Sequence, residues 1–383
     1  MSLGRVTTPF RKVLFLPILL IVLAIIFWPR RIPLPDPLEL PAPPVLEMAD
    51  LIEPVEWSEL DRFQGTISSE TFRDRLTTIY TKSDAWQEWI TIFDDHAQIG
   101  DYRLQFSSFD KPAPGAVWNW KSAPDPSGKP LAGLHIAIDP GHIGGEYAKI
   151  EERHHEYPGI PPIQEGTMTL ETARLLKPLL EAQGARVTLV RDKLEPVTPY
   201  TPANFRNPLL FYRTSEIRAR ARLVNEVIQP DLVLCLHYNG TASKIPIPGQ
   251  HFHILINGTY APGELANEDE RFAMLQRLLS GVITEEIPLA SRLADVFSEV
   301  TQLPPYRYPA TSTTSQNING DPFLWARNLL ANRLYLCPVI FMEPYVMNST
   351  EFVDRFKSDP QAIYREYAGA VAKGILSYYA DSP

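Results

Sequence analysis

Histidine and glutamate side chains stand at the ends of three predicted strands and at the start of one predicted helix. His142 follows the segment LHIAID, His237 ends LVLCLH, and Glu343 ends PVIFME. Glu165 opens the first long helix, which starts at the same edge of the sheet. Two imidazoles and one carboxylate suit a zinc ion whose fourth position is left for water, and the remaining carboxylate can transfer protons. Each residue alone is more often a core group or a helix cap, so the prediction of a metal site depends on their convergence.

The elements that position these residues alternate along the chain from Leu131 onwards. The predicted strands are LHIAID, ARVTLV, LVLCLH, GQHFHILI and PVIFME. The predicted helices are MTLETARLLKPLLEAQG, RTSEIRARARLVNEVI, two segments across 264–302 and one within 351–379. This alternation predicts an α/β fold with a mainly parallel, twisted sheet and helices on both faces. Ligands bind beyond the carboxyl ends of the strands in such a sheet. Pro178 predicts a kink or an early end in the first helix.

An apolar segment near the N-terminus predicts a membrane anchor. Val13 to Trp28 is an uncharged run of 16 residues with basic residues on both sides. A helix of this length covers about 24 Å, slightly less than the hydrocarbon core of a bilayer. Because no small-residue cleavage site precedes the following prolines, an uncleaved anchor at 1–31 is favoured over a cleavable signal, with its N-terminus inside. The rest of the chain would then lie outside the cytoplasm.

Two proline-rich stretches divide the region between the anchor and the α/β region. Seven prolines occur from Pro29 to Pro44, which predicts an extended tether at 32–46. Residues 47–111 have helical periodicity with Ser, Thr and Asp caps, and predict a small helical module. A second proline-rich stretch predicts a linker at 112–130, and the α/β domain takes up 131–383.

Composition narrows the classes of protein to which the chain can belong. Its length of 383 residues and its apolar fraction of 44% support a well-buried core. A formal net charge of -9 gives no basic surface that could neutralise phosphates, which argues against nucleic acid as a partner. Cys235 and Cys337 both lie in apolar strand-like runs, so two buried thiols are expected rather than a disulfide.

Six motifs, in order and spacing, resemble the N-acetylmuramoyl-L-alanine amidase family of zinc-dependent cell-wall hydrolases. They are IAIDPGH with the following glycines, EGTMTL, VTLVR, RARLVN, LVLCLHYNG and VIFMEPYVMN. The resemblance extends from Leu134 to Tyr379, so it identifies 131–383 as the catalytic domain. It implies that His142, Glu165 and His237 bind Zn²⁺ and that Glu343 is the catalytic glutamate.

The resemblance has two departures near the site. The family's usual DPGHGG has Ile143 inserted, and the Gly-Phe that follows the catalytic glutamate is replaced by Pro344-Tyr345-Val346. The metal-binding residues are kept through both changes. The second departure changes the expected shape of the surface beside Glu343 on which the substrate would lie.

Further histidines surround the predicted site. His154 and His155, with Glu156, form a second polar cluster, which is expected to be a solvated loop or else to gate or contact the substrate. A second metal site is the least favoured interpretation of this cluster. His251 and His253 are two residues apart and face the same side of a regular strand. An ordinary strand face is the favoured interpretation for this pair, with stabilisation of an oxyanion as the alternative.

Arg191 and Arg220 match family arginines, and structural ion pairing is expected for both, with substrate positioning as the lesser option.

Some members of this family carry an inserted helix that occludes the zinc until a partner protein removes it. The segment 264–281 could act in this way, with Glu264, Glu268, Asp269 or Glu270 reaching the metal. A surface helix that packs Phe272, Leu275 and Leu278 on the core is the alternative.

The resemblance implies hydrolysis of the amide between N-acetylmuramic acid and L-alanine in peptidoglycan. The anchor would place the protein in the bacterial inner membrane, with its catalytic domain on the periplasmic or extracytoplasmic side. Two alternatives stay open: another zinc peptidase or amidohydrolase that uses the same ligands, and a non-catalytic, membrane-anchored wall-binding protein.

Overall fold

The computed structural model describes residues 45–112 and 128–380. The predicted anchor at 1–31, nearly all of the tether at 32–46 and most of the linker at 112–130 lie outside these residues. Among the residues that are described, no helix is both long enough and apolar enough to cross a membrane.

Residues 45–112 are helical only in their first part. Short 3₁₀ helices cover Met48–Leu51, Trp57–Phe63 and Ala85–Glu88. Helix α1 (Ser69–Arg75) continues as a π-helical turn over Leu76–Tyr80. The strands β1 (Ile90–Ile92), β2 (His96–Ile99) and β3 (Tyr102–Gln105) then form an antiparallel sheet. The prediction of a wholly helical module is therefore wrong for 90–105. The β-branched side chains of β1 favour a strand, and Gly100, at a φ of 58°, allows the tight turn between β2 and β3.

A mixed seven-stranded sheet forms the centre of the α/β region. Its strand order is β10-β11-β9-β12-β8-β4-β7. These strands are β4 (His135–Pro140), β7 (Arg186–Leu189), β8 (Leu232–Leu236), β9 (Phe252–Ile256), β10 (Gln316–Asn317), β11 (Leu324–Ala326) and β12 (Val339–Pro344). A separate hairpin joins β5 (His154–His155) to β6 (Ile163–Gln164).

The sheet is mainly parallel, as predicted, since four of its six strand pairs are parallel, but two pairs are antiparallel and make it a mixed sheet. Strands β12, β8, β4 and β7 are mutually parallel, but β9 pairs antiparallel with β12 and β10 pairs antiparallel with β11. The chain has no helix between β8 and β9. A parallel neighbour needs a crossover connection, usually a helix, whereas a loop lets a strand enter the sheet in the opposite direction. The amino end of β9 therefore lies at the same edge as the carboxyl ends of β4, β8 and β12.

Helices pack on both faces of this sheet. One face carries α2 (Glu165–Ala182), α6 (Ile283–Thr301) and α9 (Pro360–Ala380), whose apolar side chains share a core with Ile136, Leu234 and Ile340. The other face carries the helical segment Phe211–Ile228, which contains α3 (Ile217–Arg222). The remaining helices are α4 (Pro262–Leu265), α5 (Glu268–Ser280), α7 (Leu330–Arg333) and α8 (Thr350–Ser358).

Two predictions about helices differ from the structure. Helix α2 passes through Pro178 and ends at Ala182, so the expected early end is wrong. Proline removes one backbone donor, and burial of Leu176 and Leu180 stabilises the helix on both sides of it. The single helix expected within 351–379 is two helices, α8 and α9, because Asp359 is extended between them.

Residues 45–112 and the α/β region share one hydrophobic core. Helix α5 provides the contact surface on the α/β side. The Trp57 ring packs edge-on against Phe272, with 5.6 Å between ring centroids, and the Arg271 guanidinium lies 4.8 Å from the Trp89 ring centroid. Phe272 is partly buried and Leu275 and Leu278 are fully buried, so the expected packing of these side chains on the core is confirmed. The helix is not a surface helix, however, because residues 45–112 cover it and Glu268 is its one exposed residue.

Candidate active site

The side chains of His237, Glu343 and His253 come from three adjacent strands and form one row at the edge of the sheet where β8 and β12 end. Glu343 of β12 is paired in register with His253 of β9. The His237 amide donates to the Met342 carbonyl oxygen at 3.1 Å, which places His237 beside Glu343 at the end of β8. Register partners point to the same face of a sheet. The row therefore lies on the face that carries Phe341, and the His237 ring stacks on the Phe341 ring with centroids 4.2 Å apart.

The structure brings together a triad of His142, Glu165 and His237. Each offers one ligand atom, and these atoms all lie within 4.8 Å of one another. His142 Nε2 is 3.4 Å from Glu165 Oε2, and His237 Nδ1 is 3.0 Å from Glu165 Oε1. Glu165 is the first residue of α2 and is buried between the two imidazoles. The convergence expected from the strand ends is therefore present, while the assignment of these three residues as metal ligands stays a prediction.

Two buried arginines hold the backbone of His142. The His142 carbonyl oxygen accepts from Arg191 Nε and from Arg220 Nη2, both at 2.8 Å. Arg220 is ion-paired with Asp139 at 2.9 Å and with Glu216 at 2.7 Å, as predicted. Arg191 instead donates mainly to backbone carbonyls, including that of Gly166 at 2.6 Å. Both arginines thus fix the loop that carries His142.

The two site carboxyl groups have opposite pKa shifts. Burial raises the pKa of Glu165, but the neighbouring charge of His142 and the hydrogen bond from His237 outweigh this effect and lower the pKa to about 2. The Tyr238 amide also donates to Glu165, at 3.1 Å. Burial raises the pKa of Glu343 to about 7, and the charge of Glu165 adds to the increase. Glu165 therefore suits cation binding, whereas Glu343 can exchange a proton near neutral pH.

Glu151 and Arg153 are additional site neighbours that were not singled out from the sequence. Glu151 is buried, with 1% of its surface exposed, and its Oε1 lies 3.5 Å from His142 Nδ1. Arg153 Nε lies 3.5 Å from Glu165 Oε2, and its side chain is half exposed. Both residues belong to the charged segment EERHHE, which resembles a solvated loop. Nothing in that pattern distinguishes the one carboxylate that turns inward.

The second histidine cluster lies on the β5–β6 hairpin. His154 and His155 form β5, and the Glu156 carboxylate pairs with Lys149 at 3.2 Å on the surface. Burial lowers the pKa of His155 to about 4, so this imidazole is neutral at physiological pH. In the described contacts these three residues do not touch the triad. His154 and His155 form a half-buried strand rather than the solvated loop that was expected, and a role in gating or contacting the substrate stays a prediction.

His253 of β9 and His251, which directly precedes this strand, belong to an aromatic cluster beside Glu343. The His253 Nε2 atom lies 3.2 Å from the Tyr308 hydroxyl, and burial lowers the pKa of His253 to about 3. The His251 ring packs against Tyr306, with centroids 4.6 Å apart. His253 is therefore a buried neutral group on the site face, and a role for either histidine toward an oxyanion stays a prediction.

The acidic residues expected to reach the metal from 264–281 all contact other groups. Glu264 accepts from the Ala261 amide at 2.7 Å, and Glu268 accepts from Trp57 Nε1 at 2.7 Å. Asp269 pairs with Arg218 at 3.3 Å, and Glu270 pairs with Arg333. Across the described ranges, none of these four carboxylates contacts His142, Glu165 or His237. Their contacts do not support an occluding role for this helix.

Comparison with known proteins identifies the family. The family model for N-acetylmuramoyl-L-alanine amidase (Amidase_3) matches residues 136–377. The probable cell wall amidase LytH of Staphylococcus saprophyticus subsp. saprophyticus is 35% identical over 74 residues, and this match covers 19% of the present chain. The chain spans only 23% of the length of that curated relative.

Solved structures of amidases are similar to the chain. The N-acetylmuramyl-L-alanine amidase Ami1 from Mycobacterium smegmatis is 18% identical with a TM-score of 0.42, over 66% of this chain and 99% of that one. The CwlD amidase from Clostridioides difficile, solved in complex with the GerS lipoprotein, is 13% identical with a TM-score of 0.44, over 65% of this chain and 100% of that one. Because the family model matches more than half of the sequence, the chain belongs to the N-acetylmuramoyl-L-alanine amidase family.

Proposed function

We propose that the protein is a zinc-dependent amidase that cleaves the amide between N-acetylmuramic acid and L-alanine in peptidoglycan. The observation that carries the proposal is the placement of Glu343 beside a triad whose ligand atoms lie within 4.8 Å of one another, in a chain of this family. Peptidoglycan as the substrate is consistent with the family.

The residues of the triad fit zinc. Two imidazole nitrogens and one carboxylate oxygen form the three-ligand set of catalytic zinc sites, which keep a further position for water. His142, Glu165 and His237 would hold the ion, and Glu165 stays ionised because its pKa is lowered. When bound, zinc lowers the pKa of a water molecule and polarises a carbonyl oxygen.

Glu343 carries the proton transfers of the proposed reaction. Its carboxylate accepts a proton from water as the water oxygen attacks the amide carbonyl carbon. The same carboxyl group then donates that proton to the departing nitrogen, because an amide anion is a poor leaving group. Burial raises the pKa of Glu343 toward the working pH, and a group that titrates closer to this pH is better able to accept and donate a proton.

Product analysis tests the proposal. The full chain in detergent is incubated with purified sacculi and zinc, and the soluble products are identified by mass spectrometry. Release of intact stem peptides with a free N-terminal L-alanine is expected. New amines within the stem peptide would instead indicate a zinc peptidase. Binding to sacculi without soluble products would indicate a wall-binding protein.

The proposal includes a location. The apolar run from Val13 to Trp28 would anchor the protein in the bacterial inner membrane, and the proline-rich tether would extend the catalytic domain into the periplasmic or extracytoplasmic space. A protease added to spheroplasts should digest the catalytic domain; protection from it would contradict this orientation.

The proposal includes no activator protein, since the acidic residues of 264–281 contact groups outside the triad.

A further inference from the structure

Glu151 binds the backbone on the C-terminal side of His142. Its Oε1 accepts from the Ile143 amide at 2.8 Å, and its Oε2 accepts from the Gly144 amide at 2.9 Å. The carboxylate is almost completely buried. Ile143 is the residue inserted relative to the usual family motif, so Glu151 binds the part of the loop in which this chain differs.

The backbone conformation of His142 explains why a carboxylate fits against the Ile143 and Gly144 amides. His142 adopts a φ of 57°, in the left-handed region that residues other than glycine rarely occupy. A left-handed residue in a turn directs successive amides to one side and creates a concave anion site. Glu151 fills this site. Arg191 and Arg220 hold the carbonyl oxygen of the same residue, so the peptide groups on both sides of the His142 Cα are fixed by charged side chains.

The two ring nitrogens of His142 face different carboxylates. Nδ1 is 3.5 Å from Glu151 Oε1, and Nε2 is 3.4 Å from Glu165 Oε2, within the triad. Nε2 is therefore the nitrogen that faces the triad, and Nδ1 is the nitrogen that faces Glu151. A carboxylate behind a metal-binding imidazole fixes its tautomer and ring orientation.

We propose that Glu151 is a positioning residue that acts through His142 and sets the affinity of the triad for zinc. The inference rests on the proposed function in one respect, since it takes His142 to be a zinc ligand. It adds a residue that does not touch the metal or the substrate. A role confined to folding would lower the stability of the chain without lowering the zinc affinity of the folded molecules.

The test measures zinc affinity by competition with a chromogenic chelator, at a temperature where circular dichroism shows every variant to be folded. Glu151→Gln should bind zinc about 10- to 100-fold more weakly than the parent. The control is Glu152→Gln, because Glu152 is an exposed neighbour that pairs with Arg213, and this variant should keep the parent affinity. Equal zinc affinity of Glu151→Gln and the parent would overturn the proposal.

A double-mutant cycle shows whether Glu151 acts through His142. In a His142→Ala background, the further change Glu151→Gln should leave the residual zinc affinity unchanged. The same loss in both backgrounds would overturn the proposal, because Glu151 would then act elsewhere. These experiments use no substrate, so a parent that binds zinc but does not cleave sacculi would contradict the proposed function alone. A parent that binds no zinc would overturn both.

Discussion

The ring of His237 occupies the space that a β-carbon on residue 141 would need. Such a carbon would lie 2.3 Å from Cε1 and 2.4 Å from Nε2 of His237, much closer than van der Waals contact. The Gly141 amide donates to the Leu236 carbonyl oxygen at 2.8 Å, so the two backbones are held together at this point. The absence of a side chain at Gly141 is thus what lets His237 reach Glu165.

Gly141→Ala should therefore displace the His237 ring and weaken zinc binding. Loss of one ligand from its position is expected to lower the affinity by at least about tenfold, as substitutions that misplace a zinc ligand do. Chelator competition measures the change. Gly263→Ala is the control, because a β-carbon there would meet nothing within 4 Å. Parent-like zinc affinity of Gly141→Ala would show that His237 is not needed in its present position.

Arg220→Met should strongly destabilise the fold. Arg220 is buried between Asp139 and Glu216, so its removal leaves two buried carboxylates without a cation. Breaking a buried ion pair in this way costs about 3–5 kcal/mol of unfolding free energy. Urea unfolding with a chelator present measures this loss separately from metal binding. The exposed Arg222, changed to Met, should cost less than about 1 kcal/mol; similar losses for both variants would contradict the ion-pair account.

The segment 264–281, which spans the end of α4 and the whole of α5, should not inhibit the enzyme. If its acidic residues blocked the metal, removing their charges would increase the rate at which stem peptides leave purified sacculi. Glu264 and Glu268 contact Ala261 and Trp57 instead, so the double variant Glu264→Gln, Glu268→Gln should cleave at the parent rate. An increased rate would show that these carboxylates restrain activity.

The sequence was sufficient to predict the elements that carry the triad. The strands that precede His142 and His237, and the one that ends in Glu343, are short apolar segments with a polar residue at one end. Parallel strands place such ends at one edge. The local pattern was therefore enough to predict that these residues lie close together. The prediction that Cys235 and Cys337 are buried free thiols is also confirmed.

Other features depend on contacts that a local pattern does not contain. The neighbour of β9 in the sheet is β12, far along the chain, so the pairing of His253 with Glu343 could not be predicted. Strands β10 and β11 are too short to show a periodicity. Strands β1, β2 and β3 are only three or four residues long, and periodicity does not distinguish a helix from a strand over such short runs. Glu151 is buried by the fold of its own loop, and its charged neighbours resemble a solvated segment.

Zinc content and sacculus digestion of Glu343→Gln test the central claim most directly. Glu299→Gln is the control, since Glu299 is exposed and pairs only loosely with Lys373, at 3.6 Å. The account predicts that both variants bind zinc as the parent does. It also predicts that Glu343→Gln releases stem peptides about 10²- to 10⁴-fold more slowly, the usual loss for a general base. Release at the parent rate by Glu343→Gln would contradict the assignment of Glu343 as the proton-transferring residue and the mechanism built on it.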